Sequence, residues 1–207
     1  MKNFLFLISL SLILLSCKKG AGNFTLKGEI DDLTFNTPLT NTWLKLYKVS
    51  IGTSSQIIQD SMLLAADGKY EFTFPREQVE RYIIEIQKDG YFPIIEDVYF
   101  TSLTLEQDNI RNYSTHAKAW IGLKFVNENP SPLDLFTYTK QLGLEDCTEC
   151  CPSTEQEFQG ELDTTIYCIN NGNEPYSILY SVSGTNNIGI LSELTSAFDT
   201  TYINVTY

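Results

Sequence analysis

Apolar and polar residues alternate in short runs along most of the chain after Phe24. In residues 69–74, the aromatic side chains of Tyr70, Phe72 and Phe74 alternate with polar ones, and residues 201–207 show the same period of two. Successive side chains of a strand point to opposite faces, so this period predicts half-buried β-strands. The runs end at clusters of Gly, Pro, Asn and Asp, which favour turns. The pattern therefore predicts an all-β chain.

Three local features sharpen this prediction. Residues 24–30 predict a strand with a β-bulge at Gly28. Residues 42–49 carry large apolar side chains at both odd and even positions, which predicts a strand buried on much of both faces. The dipeptide Asp67-Gly68 predicts a short β-hairpin, because both residue types tolerate a positive φ.

The strands group into two parts of the chain. We expect two antiparallel β-sandwiches in tandem, over residues 24–105 and 118–207, with residues 133–142 forming either a strand or a helical turn. Residues 106–117 are polar and lack alternation, which predicts a linker. Composition changes at the same place: residues 24–105 hold 12 acidic and 7 basic residues, whereas residues 106–207 hold 14 and 4.

A pattern within the first predicted sandwich is similar to that of a known family. Its residues are Lys27-Gly28-Glu29-Ile30, Pro38 and Trp43-Leu44-x-Leu46, followed by Asp67-Gly68-x-Tyr70-x-Phe72 and Gly90-Tyr91. The pattern resembles the carboxypeptidase regulatory-like domain over roughly residues 24–105. The resemblance implies a small transthyretin-like sandwich that acts as a folding, binding or spacer module. It brings no catalytic residues with it.

The first residues have the composition of an export signal. A basic residue precedes a short apolar stretch that is too short to cross a bilayer, so residues 1–16 are expected to be a cleaved signal peptide. The sequence Leu-Leu-Ser-Cys ending at Cys17 resembles the lipobox of bacterial lipoproteins. The resemblance implies that Cys17 is lipidated, with palmitate-type chains that anchor the protein stably, and that residues 17–23 are a tether.

The residues after Cys17 bear on location. Lys18 follows the cysteine where an Asp would mark retention in the inner membrane of such lipoproteins, so the resemblance implies the outer membrane. Surface-exposed lipoproteins of the Bacteroidetes type often carry acidic residues there, and this chain has none. We therefore expect the periplasmic face rather than the cell surface.

Four further cysteines form a cluster in the second half of the chain: Cys147, Cys150, Cys151 and Cys168. An even number of cysteines in an exported chain predicts two disulfide bonds. A bond between the adjacent Cys150 and Cys151 would strain the backbone. Cys168 is therefore expected to pair with one of them and Cys147 with the other. A four-thiolate zinc site and free or redox-active thiols are the alternatives.

Three tripeptides that begin with Asp resemble the Bacteroidetes O-glycosylation motif. Their acceptors are Ser61, Thr164 and Thr200. The single histidine, His116, lies in the predicted linker, which leaves little room for a His-based zinc enzyme or a catalytic triad.

These observations favour a non-catalytic lipoprotein of the cell envelope that binds or scaffolds a protein, peptide or glycan and needs no cofactor or metal. The formal net charge of −12 argues against nucleic acid as a partner. A carboxylate-based polysaccharide hydrolase and a cysteine-based metal or redox accessory protein are the alternative functions.

Overall fold

The computed structural model describes residues 22–207. The predicted signal peptide, Cys17 and most of the predicted tether lie outside the described residues.

The described chain is built almost entirely of β-strands, which confirms the all-β prediction. In chain order they are β1 (Asn23–Asp32), β2 (Thr37–Pro38), β3 (Trp43–Ser50), β4 (Gln56–Leu63), β5 (Lys69–Pro75), β6 (Val79–Ile86), β7 (Ile94–Tyr99), β8 (Asp108–Ile110), β9 (Tyr113–Thr115), β10 (Lys118–Val126), β11 (Leu135–Leu142), β12 (Gln156–Gln159), β13 (Asp163–Asn171), β14 (Pro175–Val182), β15 (Ile188–Leu194) and β16 (Thr200–Thr206). A 3₁₀ turn, Phe100–Ser102, follows β7. Nothing helical in residues 22–207 has the length and apolarity needed to cross a membrane.

Two sheets enclose the first hydrophobic core. One contains β2, β1 and β5, with β8 and β9 also paired to β1, and the other has the order β4-β3-β6-β7. Alternation along each strand directs one set of side chains between the sheets. The largest fully buried members are Phe24, Leu26, Ile30, Leu39, Leu44, Leu46, Phe72 and Tyr82.

Residues 106–117 do not form the predicted linker. β8 and β9 lie within this segment and pair in parallel with β1, with Leu26 opposite Asn109. The buried Asn109 amide donates to the backbone oxygens of Thr25 and Thr104 and accepts from the Thr104 N–H. Backbone pairing and the Asn109 side chain hold this segment in place, so it needs no alternating apolar residues. Its sequence therefore does not resemble a strand.

β1 runs without the predicted bulge at Gly28. Its pairing with β5 is continuous from Asn23 opposite Pro75 to Glu29 opposite Lys69. Gly28 instead shares the inward-facing side of β1 with Phe24, Leu26 and Ile30. A Cβ atom there would lie 1.8 Å from the backbone oxygen of Arg111, so the close approach of the segment after β8 requires glycine.

Asp67-Gly68 forms a turn but not the predicted hairpin. β4 pairs with β3 and β5 pairs with β1, so the turn carries the chain from one sheet to the other. Gly68 has φ +65°, and its oxygen accepts a hydrogen bond from the Ile30 N–H at 3.0 Å. The local residues specify the turn, but they do not specify which strands pair.

β3 is buried on its inner face and in part on its outer face, where Val49 is 0% exposed, so the predicted burial of both faces is confirmed in part. Leu44 and Leu46 are fully buried between the sheets, whereas Trp43 is exposed on the outer side. No described element covers that side of the sheet around Trp43.

A second hydrophobic core lies between the remaining two sheets, β13-β10-β16 and β12-β11-β14-β15. The central β10 pairs antiparallel with β13 and in parallel with β16. The segment left open as a strand or helical turn is the strand β11, and β12 is a short strand that the sequence did not predict. The largest fully buried side chains here are Phe125, Phe136, Tyr138 and Tyr176.

The two cores are joined by direct contacts. The Lys118 N–H donates to the Gly90 oxygen at 2.6 Å. Phe198, in the loop between β15 and β16, stacks on Phe35 with ring centroids 6.0 Å apart and meets the Tyr91 ring edge-on at 5.4 Å.

Candidate binding surface

The outer side of the sheet β4-β3-β6-β7 carries a concentrated set of exposed apolar side chains. We call this surface the apolar face. Its large members are Trp43, Ile58, Leu63, Ile95 and Tyr99, each between 49% and 58% exposed, together with the half-exposed Tyr47. Side chains this large, half exposed, offer on the order of 500 Å² of apolar surface, near the upper end for a monomeric protein.

Strand register explains why these residues share one side. Directly paired residues point to the same face of a sheet. Trp43 is opposite Leu63, and Tyr47 is opposite Ile58. On the other half of the sheet, Tyr99 is opposite Arg81.

The centre of the apolar face is packed. Ile83 lies between Tyr47 on β3 and Asp97 on β7, and it is only 4% exposed. A buried side chain on an outer face means that its neighbours already contact one another. The surface is therefore ordered before any partner arrives, which reduces the entropy lost on binding.

The charged groups on this face neutralise one another. Lys45 Nζ lies 3.6 Å from Glu85 Oε1, and the Tyr47 hydroxyl donates to the same oxygen at 3.5 Å. Arg81 Nε donates to Asp97 Oδ1 at 3.0 Å. Pairing leaves the middle of the face without net charge, so apolar contact dominates there.

The surroundings of the apolar face are acidic. The four strands of this sheet contain five acidic and three basic residues. Asp60 and Glu96 are exposed and form no ion pair within residues 22–207. A partner with a basic rim would complement this arrangement.

The cysteine cluster forms two disulfide bonds, Cys147–Cys150 and Cys151–Cys168, each with Cα atoms 5.3 Å apart. The prediction of two disulfides is confirmed, and the pairing is one of the two that the sequence left open. All four sulfur atoms lie in disulfide bonds, so the structure contains neither a four-thiolate zinc site nor free thiols at these cysteines. In the described part of the chain, no group of three or more His, Cys, Asp or Glu side chains is arranged to hold a metal ion.

Sequence reasoning missed a buried lysine beneath the disulfide-bonded loop. Lys140 is 5% exposed, and its ammonium group donates to the oxygens of Leu144 at 2.6 Å and Cys151 at 2.9 Å. Burial lowers the pKa of Lys140, although nearby Glu145 and Asp146 oppose this shift. Lys140 shares the inward-facing parity of Phe136 and Tyr138, and this was the signal available in the sequence.

The disulfide-bonded loop also protects a sheet edge. β13 is the outer strand of its sheet, and the Ile169 N–H donates to the Glu149 oxygen in the loop at 2.8 Å. At this position the edge is occupied by the loop and cannot pair with another chain. The geometry of this cluster therefore supports a structural role.

The single histidine, His116, and the carboxyl group of Asp134 both make structural contacts. His116 Nδ1 lies 3.5 Å from the Thr34 hydroxyl. The Asn127 amide and the Ser131 N–H donate to Asp134 and lower the pKa of its carboxyl group, which is the wrong direction for a general acid.

The three predicted glycosylation acceptors lie on different strands. Ser61 is exposed on β4, whereas Thr164 on β13 and Thr200 on β16 are half-buried. Modification at these residues stays a prediction.

No protein-family model and no curated protein sequence matches the chain. Among solved structures, it is similar to the Bacillus anthracis TIE protein, with 13% identity, a TM-score of 0.39, and coverage of 90% of this chain and 34% of that one. It is also similar to GBS52, the minor pilin of Streptococcus agalactiae, with 12% identity, a TM-score of 0.32, and coverage of 88% and 94%. A third similarity is to 3-chlorocatechol 1,2-dioxygenase from Rhodococcus opacus, with 9% identity, a TM-score of 0.35, and coverage of 48% and 61%. The chain thus spans less than two thirds of the TIE protein and of the dioxygenase, and similarity this weak carries no argument about activity or partners.

Proposed function

We propose that the chain is a non-catalytic, lipid-anchored module of the cell envelope that binds a protein, peptide or glycan partner through the apolar face. The observation that carries this proposal is the exposed set of apolar and aromatic side chains around Trp43, Tyr47 and Tyr99 on an ordered sheet. Trp, Tyr and Arg are the residues most often responsible for binding energy at interfaces. The resemblance of residues 24–105 to a regulatory-like module without catalytic residues supports the same role.

The anchor is the second part of the proposal. Cys17 would carry the acyl chains, and the tether after it would hold the described residues at the periplasmic side of the outer membrane. Growth with radiolabelled palmitate is expected to label the wild-type chain and not the Cys17→Ser variant. Equal labelling of both, or labelling of neither, would contradict the anchor.

Photo-crosslinking in intact cells tests the binding face. A photoreactive amino acid at position 95 is expected to yield one reproducible crosslinked species, because Ile95 is exposed within the apolar face. The same group at position 133 serves as the control, since Leu133 is 87% exposed and lies outside that face.

Two substitutions complete the test. Trp43→Ala and Tyr99→Ala remove exposed rings, so the fold should persist while the crosslink from position 95 is lost. A crosslink that survives both substitutions, or that forms equally from position 133, would refute the binding face.

A further inference from the structure

β4 is an open edge of the sheet that bears the apolar face. It ends the order β4-β3-β6-β7, and within residues 22–207 it pairs with β3 alone. Each of its eight residues is exposed or half-buried. An edge strand presents a row of backbone N–H and C=O groups that can pair with another chain.

Consecutive residues of β4 expose apolar side chains to opposite sides. Ile57 and Ile58 are 52% and 57% exposed. Ile58 belongs to the apolar face, whereas Ile57 points to the other side, because neighbouring strand residues alternate. A partner that rests on the apolar face alone would cover Ile58 and leave Ile57 in water. A strand alongside β4 would contact both.

A groove continues the surface on the side of Ile57. Met62, from β4, is one wall of this groove, whose volume is about 630 Å³ and whose other walls include Lys27, Tyr70 and Ile110. An added strand would thus lie between the apolar face and a groove, with side-chain space on both sides.

β4 also lacks protection that other edges possess. β2 has two residues and ends in Pro38, and the edge of β13 is occupied at Ile169 by the disulfide-bonded loop. β4 contains no Lys, Arg or Pro, and Asp60 is its single charge. β15 is another apolar strand at the end of a sheet, but its most exposed aliphatic residues, among them Ile190, share one face.

We propose that β4 accepts an extended segment of another protein as an additional strand, with apolar residues on both of its faces and basic residues near Asp60. This inference rests on the proposed function and specifies how the partner binds. A second copy of this chain is a poor occupant, because each copy carries a net charge of −12. A bulge leaves Gln59 without a residue opposite it on β3 and bends this edge, so a short flexible segment fits the edge better than the preformed strand of a second copy.

The test uses a phage-displayed library of random 12-residue peptides, selected on the lipidated full chain in detergent. Selected peptides are expected to combine alternating apolar residues with Lys or Arg. Binding of a synthetic copy should slow amide hydrogen exchange across residues 56–63 at least tenfold, because backbone pairing protects the amides of an edge strand.

Matched variants separate the modes of binding. Ile57→Thr keeps a β-branched residue and is expected to weaken the peptide at least fivefold, while Ile190→Thr on β15 should leave its affinity unchanged. Binding that depends on Ile190, or selection of no peptide, would overturn strand addition at β4. Peptide binding that is lost in Trp43→Ala, without slower exchange in residues 56–63, would overturn strand addition and leave the proposed function standing. A glycan ligand that binds the apolar face would have the same consequence.

Discussion

Replacing Tyr82 by Phe should stabilise the first sandwich. Tyr82 is fully buried, and its ring packs on Phe74 with centroids 4.6 Å apart. Its hydroxyl group is buried and has no hydrogen-bond partner within residues 22–207. An unpaired buried hydroxyl costs about 1–3 kcal/mol, and Phe keeps the ring. We expect Tyr82→Phe to raise the free energy of unfolding by about 1 kcal/mol.

The same substitution at Tyr91 should have the opposite effect. The Tyr91 hydroxyl donates to Asp32 Oδ2 at 2.6 Å, and both residues are buried in the same half of the molecule. Tyr91→Phe removes a hydrogen bond to a buried carboxylate and leaves that oxygen without its partner. We expect a loss of about 2 kcal/mol.

Urea unfolding followed by tryptophan fluorescence and circular dichroism measures both variants. A change of 1 kcal/mol corresponds to a shift of about 2–4 °C in Tm for a chain of this size. If Tyr82→Phe destabilises the protein, or if both variants change stability in the same direction, the reasoning from unpaired hydroxyls is refuted.

Alkaline pH gives a second readout of Tyr82. Burial raises its pKa to about 12, because the ionised form is disfavoured in an apolar environment. A tyrosine in the unfolded chain has a pKa near 10, so the unfolded state loses its proton first. The stability that depends on a protonated Tyr82 is therefore fully present below pH 10 and is lost as the pH rises through 12. Tyr82→Phe should therefore reduce the loss of stability between pH 10 and pH 12.

Three further predictions follow from single contacts. Gly28→Ala should destabilise the protein by about 3 kcal/mol, because the alanine Cβ would meet the Arg111 backbone oxygen. Gly184→Ala should cost about 1 kcal/mol, because Gly184 lies in open space but has a positive φ. The urea midpoints of the two variants test this difference. Lys140→Met should lower stability by about 2–3 kcal/mol and speed hydrogen exchange in the loop it holds, since buried carbonyl groups lose their donor; unchanged exchange would contradict that role. Cys151→Ser should lower stability by about 3 kcal/mol and Cys147→Ser by about 1.5 kcal/mol, because the Cys151–Cys168 bond closes the longer loop. If denaturant unfolding ranks the two variants in reverse, this explanation by loop length is refuted.

Much of the local structure was determined by the sequence. Alternation placed most strands, because side chains of a strand must separate into two faces. The even count of cysteines, together with the expected export to an oxidising compartment, predicted two disulfides. The sequence also predicted the turn at Asp67 and Gly68 correctly, because the positive φ of Gly68 depends on local residues.

Tertiary structure alone decided which strands pair and which faces are covered. Trp43 and Leu44 look alike in the sequence, yet only Leu44 has a second sheet opposite it. Gly28 and Lys140 acquire their roles from segments that fold over them, the backbone of Arg111 in one case and the disulfide-bonded loop in the other. Alternation states which residues share a face. Burial of that face depends on elements distant along the chain, and the period of two carries no information about them.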